Sequence, residues 1–372
     1  MFCKVVLTFC SRVFLIVLGL FLVLIAIPLK PIKTRHLHSL IRYISKSTQH
    51  HQLLELERFR VQTKCGSSKH LNQKPLKIVQ FSDLHYDAFE EPPTLPKHLE
   101  QEMIEKVKLE RPDYVVISGD FVHGEVKVSA PKLCREVLKP ISMVMKEIHE
   151  DHSNRMFGVL GNHDLHAGQR DWLVSILERE GNVRILDNDF YYNEQDQLLL
   201  MGLPDYDKDY FNTAIVAHRM KDIPISPCAT RIVLSHIPDS ADCLLLNKVK
   251  ESKGRCGANL NAQIVLSGHT HGGQFRVPFM KEGVIAYMFR QLPDSVMNFL
   301  LNAIKMTNPV LHWEWSGGMF EKDPNSNDLQ SYSSRELKLN DNKTYLHVNR
   351  GVGGHFGFRL FCHPEMTVLE LQ

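Results

Sequence analysis

The chain has 372 residues, of which 43% are hydrophobic and 23% are charged, so it is not dominated by disorder. Its length allows one large folded domain or two ordinary ones, plus an extension. The net charge of +2 is unevenly spread, because residues 1–74 carry 12 Lys/Arg and only 2 Asp/Glu. The remaining residues have a balance of −8, which excludes general nucleic-acid binding by that part of the chain.

The first element is an uncharged apolar segment, Val13–Leu29. Its length is near the lower end of what crosses a hydrocarbon core, so we predict a single-pass transmembrane anchor within residues 1–29. A cleaved signal peptide is the alternative, but no small-x-small cleavage site follows the segment. More Lys/Arg residues follow the segment than precede it. The positive-inside rule then places the body on the cytoplasmic side of the inner membrane.

Residues 30–73 form a basic juxtamembrane segment in this interpretation. Apolar residues recur at helical spacing between Thr34 and Phe59. Two readings remain open, a helix on the membrane surface and a helix packed on the body. The eight cysteines include no CxxC pair, so we expect free thiols in a reducing compartment, in agreement with the cytoplasmic placement.

From residue 74 onward, short apolar runs end in polar clusters. They are KIVQFSD, DYVVISGD, FGVLGNHD, RIVLSHIPD and QIVLSGHTH. Helical patterns lie between them, at Leu99–Glu110, Ser129–Glu150 and Arg170–Glu180. This alternation predicts an α/β fold with largely parallel strands at its centre. The polar clusters should meet at the carboxyl edge of the strands, where such folds bind ligands.

The polar clusters contain residues that commonly bind metals. They are Asp83, His85, Asp120, Asn162, His236, His269 and His271. In an extended strand exit, residues i and i+2 point the same way, so Asp83 and His85 are expected to bind one ion together. A carboxylate such as Asp120 has two oxygens with which to bridge two ions. Two divalent cations about 3.5–4 Å apart share an attacking hydroxide and favour in-line displacement at phosphorus.

The ordered motifs DLH, GD, GNHD, SH and GHTH resemble those of the calcineurin-like metallophosphoesterase superfamily. GHTHGGQ and VNRGVG are similar to motifs of its membrane-anchored bacterial branch. The resemblance implies a sandwich of two mixed β-sheets flanked by helices, spanning residues 74–372. It also implies two metal-ligand sets that share one carboxylate: Asp83, His85, Asp120 and His271 for one ion, and Asp120, Asn162, His236 and His269 for the other.

The resemblance further places His163 beside the scissile phosphate, as a general acid or a charge stabiliser oriented by Asp164. One position departs from the family pattern, because His123 stands where an acidic residue is usual. The mixed nitrogen and oxygen ligands favour two Mn, Fe or Zn ions over Mg. The habit of the family points to Mn.

The segment 277–345 follows the last metal motif and is predicted to be an apolar, lid-like insertion followed by a polar surface excursion, Asp323–Asn342. The apolar part has two readings, helices packed in the core and a lid that accepts acyl chains. Arg276 and Arg350 are candidates for phosphate binding. The alternative for Arg350 is a tight turn whose guanidinium meets solvent or an acidic neighbour.

An anchor, a metal centre and an apolar segment together suggest a lipid-linked phosphate or pyrophosphate substrate. The combination resembles the chlamydial type of hydrolase that cleaves UDP-2,3-diacylglucosamine to UMP and a diacylglucosamine 1-phosphate in lipid A synthesis. Other interpretations are a phosphodiesterase or phosphatase acting on another phospholipid or a cyclic nucleotide, and a non-catalytic metal-binding module. The oligomeric state is not indicated by the sequence.

Overall fold

The structure is a computed structural model. It describes residues 52–65, 74–90, 93–150, 154–166, 169–205, 211–246, 256–273, 310–323, 328–340, 343–354, 359 and 361–372. The predicted anchor at 1–29, Arg276 and most of the predicted lid, residues 277–309, lie outside these ranges. No helix within the described ranges is both long enough and apolar enough to cross a bilayer.

Fourteen strands form two seven-stranded sheets in the described part of the chain. The first sheet has the order β12-β1-β14-β2-β3-β4-β5, and the second has the order β11-β10-β13-β9-β8-β7-β6. The strands are β1 Glu55–Gln62, β2 Leu76–Phe81, β3 Tyr114–Ile117, β4 Met156–Gly158, β5 Arg184–Ile185, β6 Asp189–Asn193, β7 Leu198–Leu203, β8 Thr230–Ser235, β9 Ile264–Ser267, β10 Gly318–Lys322, β11 Leu329–Tyr332, β12 Glu336–Lys338, β13 Tyr345–Val348 and β14 Glu365–Leu371. Both sheets contain parallel and antiparallel pairs, so the expectation of two mixed sheets is confirmed.

The helices lie between the strands in sequence, as the alternating pattern predicts. They are α1 Lys97–Glu110, α2 Val126–Leu133, a π-helical turn Cys134–Leu138, α3 Lys139–His149, α4 Asn162–His166, α5 Arg170–Arg179, α6 Thr213–Met220 and α7 Ala241–Leu244. Apolar residues of α1, such as Leu99 and Met103, pack on the outer face of the first sheet against Val79 and Val115. The flanking helices therefore cover the outside of the sandwich.

The strand runs are apolar throughout because both of their faces are buried. Ile78 and Tyr114 of the first sheet join Ile232 and Leu266 of the second sheet in a core between the sheets. Their sequence neighbours point to the opposite faces, under the helices. Burial of both faces explains why these strands lack alternation of polar and apolar residues.

Two regions differ from the sequence expectations. β1 lies within the segment 30–73 that was assigned to a basic juxtamembrane stretch, and it pairs with β12 and β14. The folded body therefore begins before residue 74, and residues 55–59 are strand and not helix.

The predicted surface excursion contains β11 and β12, which add one edge strand to each sheet. These strands are short and polar on one side, so hydropathy did not reveal them.

The prediction of free thiols is wrong for four cysteines. Cys65 and Cys228 form a disulfide that links the end of β1 to the start of β8, with Cα atoms 5.4 Å apart. Cys243 and Cys256 form a second disulfide. The first pair is 163 residues apart in sequence, and its proximity depends on the packing of the two sheets. Since disulfides are typical of oxidising compartments, the cysteines no longer support a cytoplasmic placement.

Candidate metal centre

Five strands deliver the predicted ligands to one edge of the sandwich, which we call the metal edge. Asp83 follows β2, Asp120 follows β3, Asn162 follows β4, His236 follows β8 and His269 follows β9. β2, β3 and β4 are parallel in the first sheet, and β8 and β9 are parallel in the second. All seven predicted ligands are therefore brought together by the ends of parallel strands.

The first group of ligand atoms consists of Asp83, His85 and His271. The Nε2 atoms of His85 and His271 are 2.9 Å apart. Asp83 Oδ1 lies 3.5 Å from the His271 nitrogen and 3.8 Å from the His85 nitrogen. All three side chains are almost completely buried.

The second group consists of Asp120, His236 and His269, with Asn162 beside them. Asn162 Oδ1 lies 2.9 Å from His269 Nδ1 and 3.2 Å from His236 Nε2. The two imidazole nitrogens are 3.3 Å apart. The three possible metal-ligand atoms, one oxygen and two nitrogens on separate loops, thus lie within 3.3 Å of one another.

Asp120 joins the two groups. Its Oδ2 atom lies 3.3 Å from His85 Nε2 in the first group and 3.1 Å from His236 Nε2 in the second. Its other oxygen, Oδ1, accepts a hydrogen bond of 2.9 Å from the backbone N–H of His163. The carboxylate is thereby held with Oδ2 between the two groups, as a bridging ligand requires.

The donor set fits two divalent transition-metal ions. Buried nitrogen and oxygen lone pairs converge in each group, and a cation would neutralise the Asp83 and Asp120 carboxylates. His236 donates from Nδ1 to the Ser118 carbonyl at 2.8 Å, which leaves Nε2 free to bind a metal. Asp83 accepts the backbone N–H of His269 at 3.0 Å, so one ligand orients the loop that carries another.

The backbone at these ligands is unusual. Asp83, His85, Asp120, His269 and His271 all have positive φ angles, between 44° and 69°. The expectation that Asp83 and His85 follow an extended strand exit is therefore wrong, because both lie in the left-handed region. Such backbone costs about 1–3 kcal/mol per residue and persists where its surroundings fix it.

The ligand loops also approach one another closely. A Cβ atom added at Gly268 would lie 1.8 Å from Ser82 Oγ and 2.3 Å from Asp83 Oδ2. Only glycine allows the loop after β9 to come this close to the loop after β2. The GH pair in the last motif is thus required to bring the second sheet's histidines to the first sheet's carboxylate.

Electrostatics agree with the buried ligand set. Burial alone would raise the pKa of Asp83, but His271 and a hydrogen bond to His85 lower it below its usual value. For Asp120 the same competition between burial and neighbouring histidines again lowers the pKa. Both carboxylates are therefore ionised at neutral pH and can bind cations.

His163 lies beside the metal groups and contacts a histidine that the sequence did not assign to the site. Its Nδ1 atom is 3.0 Å from Nδ1 of His123, and its ring centroid is 4.7 Å from that of His85. Burial lowers the pKa of His163 to about 3, so its imidazole is neutral. His123, in the position that is usually acidic, supplies an imidazole partner in place of a carboxylate.

Asp164 is buried beside the metal ligands, and its predicted role in orienting His163 stays a prediction. Its carboxylate accepts backbone N–H groups of Gly161 at 2.9 Å, Phe121 at 2.9 Å and Val122 at 3.1 Å. It therefore ties the loop after β3 to the loop after β4 and holds the backbone around Asp120. The His163 ring contacts His123, which lies three residues after Asp120.

Neither predicted phosphate-binding arginine is found facing the metals. Arg276 lies outside the described residues. Arg350 is 8% exposed and pairs with Glu365 at 2.5 Å and Glu55 at 2.8 Å, so its guanidinium meets acidic neighbours. Burial would lower its pKa, but these carboxylates raise it.

An arginine missed by the sequence interpretation lies closer to the site. Arg359 is buried, and its Nη2 atom lies 3.3 Å from His271 Nδ1. The same side chain donates from Nε to the Gly353 carbonyl at 3.1 Å. Arg359 therefore contacts His271 at the ring nitrogen that does not face the metal groups, a contact that only the packed structure reveals.

Comparison with known proteins agrees with this geometry. Residues 76–273 match the family model "Calcineurin-like phosphoesterase". The chain is 25% identical to "Phosphodiesterase YaeI" of Escherichia coli, over 81% of this chain and 83% of that protein. It is 22% identical to "UDP-2,3-diacylglucosamine pyrophosphatase LpxG" of Chlamydia muridarum, over 79% and 83%. A bovine "Transmembrane protein with metallophosphoesterase domain" is 24% identical over 54% of this chain and 41% of that protein.

The solved structures that match include TT1561 of Thermus thermophilus, with a TM-score of 0.32, 12% identity and coverage of 52% of this chain and 81% of that one. The family match covers slightly more than half of the chain and contains all seven ligands. The chain therefore belongs to the calcineurin-like phosphoesterase family and is a metal-dependent hydrolase of phosphoesters.

Proposed function

We propose that this protein hydrolyses the pyrophosphate of UDP-2,3-diacylglucosamine, releasing UMP and a diacylglucosamine 1-phosphate, with two Mn ions bound at the metal edge. The observation that carries the reaction class is the bridging position of Asp120 between two buried ligand groups. The likeness to LpxG over most of both chains supports the substrate. A lipid-linked substrate also agrees with the apolar segment Val13–Leu29.

Each ligand has a defined part in this proposal. One ion would be held by Asp83, His85, Asp120 and His271, and the other by Asp120, Asn162, His236 and His269. Bound divalent ions supply an activated hydroxide and neutralise charge on the phosphoryl oxygens. Asp120 fixes the distance between the two ligand groups, and Asp164 holds the backbone that carries Asp120.

His163 is proposed to donate a hydrogen bond to the phosphate. Its low pKa makes it a neutral imidazole at physiological pH, so it acts through an N–H group and not through a positive charge. A hydrogen bond from His123 Nδ1 to His163 Nδ1 would leave the proton of His163 on Nε2. His123 is in this way a positioning residue for His163.

The described chain begins at the metal edge. β1 runs parallel to β14 and β14 runs antiparallel to β2, so β1 begins at the edge where β2 ends. Gln52 donates to the Arg359 carbonyl at 3.2 Å, and Arg359 contacts His271. Residues 1–51 therefore join the body beside the metal ligands, which favours an active centre that faces a membrane surface.

Exposed apolar side chains lie on the segments around this edge. Leu53 is 66% exposed just before β1, Phe361 is 61% exposed just before β14, and Phe89 is 65% exposed in the loop after β2. These segments adjoin each other, because Glu55 N–H donates to the Pro364 carbonyl at 2.8 Å. Large apolar groups at a membrane-facing edge would enter the interfacial layer and help to retain a lipid substrate.

The side of the membrane is part of the proposal. The excess of Lys/Arg after Val13–Leu29 favours a single-pass protein of the inner membrane with a cytoplasmic body, whereas the two disulfides favour an oxidising compartment. We propose the cytoplasmic side, where both disulfides would be reduced. We therefore expect Cys65 and Cys228 to be alkylated in intact cells without prior reduction. If they are alkylated only after a reductant is added, the cytoplasmic placement is contradicted.

The substrate assignment is tested with purified full-length protein in detergent and Mn²⁺. We expect UMP release from UDP-2,3-diacylglucosamine, and we expect His163→Ala and Asp120→Asn to abolish it. Lys343→Gln is a matched control, because Lys343 pairs with Glu321 away from the metal ligands. Turnover of bis(4-nitrophenyl) phosphate with no UMP release from the lipid would disprove the substrate while leaving the reaction class intact.

A second candidate function has support from YaeI, whose name describes a phosphodiesterase and which is 25% identical over 81% of this chain. In that case the substrate is another phospholipid diester or a cyclic nucleotide. Ser substitutions at Leu53 and Phe361 distinguish a lipid substrate from a soluble cyclic nucleotide. They should reduce turnover of a lipid substrate and leave turnover of a soluble cyclic nucleotide unchanged.

A further inference from the structure

The opposite edge of the second sheet carries a row of polar side chains, which we call the far-edge row. It consists of Arg231, Gln263, Thr344 and Lys322, on or just before the adjacent strands β8, β9, β13 and β10. Backbone bonds align them, since Gln263 N–H donates to the Arg231 carbonyl at 2.9 Å and Lys322 N–H donates to the Thr344 carbonyl at 3.0 Å. Four neighbouring strands thus present these residues side by side.

The far-edge row points to the outer face of the sheet. Val233, two residues after Arg231, and Phe320, two residues before Lys322, both belong to the core on that face. Alternation along a strand places residues i and i+2 on the same side. The row therefore lies where the apolar packing under α6 and α7 ends, and it borders a cavity of about 260 Å³.

The charge of this cavity is one-sided. Lys64, Arg231 and Lys322 line it, and no Asp or Glu is among the described residues that do. Lys322 Nζ donates to the Leu245 carbonyl at 3.1 Å. Neither Arg231 nor Lys322 forms an ion pair with a carboxylate in the part of the chain that the structure describes. An anion in the cavity would therefore be attracted to both Arg231 and Lys322.

Neutral hydrogen-bonding groups complete the lining. Asn259, Asn261 and Asn340 line the cavity with the far-edge row. Thr344 Oγ1 is buried, and among the described residues it has no hydrogen-bond partner. A buried hydroxyl without a partner is unfavourable, so a ligand that bonds to it would recover stability.

We infer that this cavity is a second binding site, separate from the metal centre, for a soluble phosphorylated compound. The phosphate would lie between Arg231, Lys322 and Thr344 Oγ1, and the amides would meet its hydroxyl groups. β8 has six residues between Thr230 and Ser235, so the cavity is about 20 Å from the metal edge at the strand rise of about 3.3 Å per residue. The described chain begins at the metal edge, where Gln52 bonds to Arg359. Exposed apolar side chains lie at that edge as well, which favours a soluble ligand over a lipid headgroup at the far edge. This inference does not depend on the identity of the metal-centre substrate.

Inorganic phosphate is a suitable probe, measured by titration calorimetry on full-length protein in detergent. The Asp120→Asn background and EDTA remove the metal centre as a competing phosphate site. We expect one phosphate per chain, and binding about tenfold weaker in both Arg231→Gln and Lys322→Gln. Lys343→Gln is the control, because Lys343 is the neighbour of Thr344 but pairs with Glu321 at 2.7 Å, and it should leave the affinity unchanged.

Two outcomes would overturn the inference. One is the absence of phosphate binding, or equal affinity in the wild type and in the Arg231 and Lys322 variants that retain the wild-type circular dichroism spectrum. The other is binding to phosphatidylglycerol vesicles that depends on Arg231 without any binding of free phosphate, which would assign the cavity to a lipid headgroup. Two separate substitutions are used so that a folding defect in one does not decide the result.

Discussion

β8 and β9 cross the second sheet from one edge to the other, and their two ends carry different chemistry. At their carboxyl ends, His236 and His269 meet two buried carboxylates in a tightly packed centre. At their amino ends, Arg231 and Gln263 border a cavity without carboxylates. The metal edge is anionic and suited to cations, whereas the far edge is cationic and suited to anions.

The comparison teaches that rigid strands can separate two kinds of site within one domain. Between the two edges lies a core that is buried on both faces, so the strands hold each site in place independently of the other. Substitutions at one edge should therefore leave the other edge intact. The following predictions test this separation, in order of decreasing expected effect.

The largest effect is expected from Asp120→Asn. The amide is neutral and retains a single oxygen, so it can no longer bridge two cations, and kcat should fall about 10³-fold or more. The measurements are kcat on bis(4-nitrophenyl) phosphate and Mn content by atomic absorption. A variant that keeps two Mn ions and the wild-type kcat would show that Asp120 is not a bridging ligand.

The disulfide at the far edge should affect stability without affecting metals. The double substitution Cys65→Ser/Cys228→Ser removes a covalent link between residues that are 163 positions apart. It should lower the free energy of unfolding of the oxidised protein by about 2–4 kcal/mol. Denaturant unfolding of the oxidised proteins measures this, and Mn affinity should be unchanged. Dithiothreitol should destabilise the wild type by more than it destabilises the double variant, in which only Cys243–Cys256 remains to be reduced. If dithiothreitol destabilises the wild type and the double variant equally, the Cys65–Cys228 disulfide does not form.

His123 tests a positioning contact within the metal edge. His123→Leu removes the hydrogen bond to His163 and should lower kcat about 10–100-fold with little change in KM. His123→Asn can place an amide nitrogen near the lost Nδ1 atom and should restore part of the activity. If Leu and Asn reduce kcat equally, the hydrogen bond does not position His163.

The smallest effect is expected at His312, which lies after the segment 277–309 and bonds to Asp242 at 2.8 Å and Glu314 at 2.9 Å. Burial would lower the pKa of His312, but these two carboxylates raise it from 6.5 to about 10. The stabilisation is therefore complete below pH 6.5 and is lost as the pH rises through 10. The Tm of the wild type should exceed that of His312→Gln by about 2 °C at pH 6.5. This difference should disappear at pH 10.5, and a difference that persists there would exclude the charged histidine as its cause.

Much of the metal edge could be predicted because its signals are local. An apolar run followed by Asp83 or His236 indicates a buried strand with a ligand at its end, and parallel strands bring such ends to one edge. The role of Asp164 could not be predicted in this way. Its carboxylate binds backbone groups of Phe121 and Val122, about 40 residues away, and no motif records that contact.

The same limit applies to other residues. For Arg350, phosphate binding and an acidic neighbour were both open, and Glu55 from β1 and Glu365 from β14 surround its guanidinium. β1 itself was missed because its polar side chains resemble those of the basic segment before it. Cys65 and Cys228 were read as free thiols, since the packing of two sheets determines their distance.

By itself, the sequence determined the reaction class, the α/β alternation and the seven candidate ligands, because strand-end motifs are short-range patterns with fixed chemical content. The tertiary structure alone decided that Asp120 lies between the two ligand groups, that His123 contacts His163, and that the chain reaches β1 at the metal edge. It also decided that Arg231 and Lys322 lie side by side at the far edge. These features depend on contacts between segments that are distant in sequence, and packing of the two sheets creates those contacts.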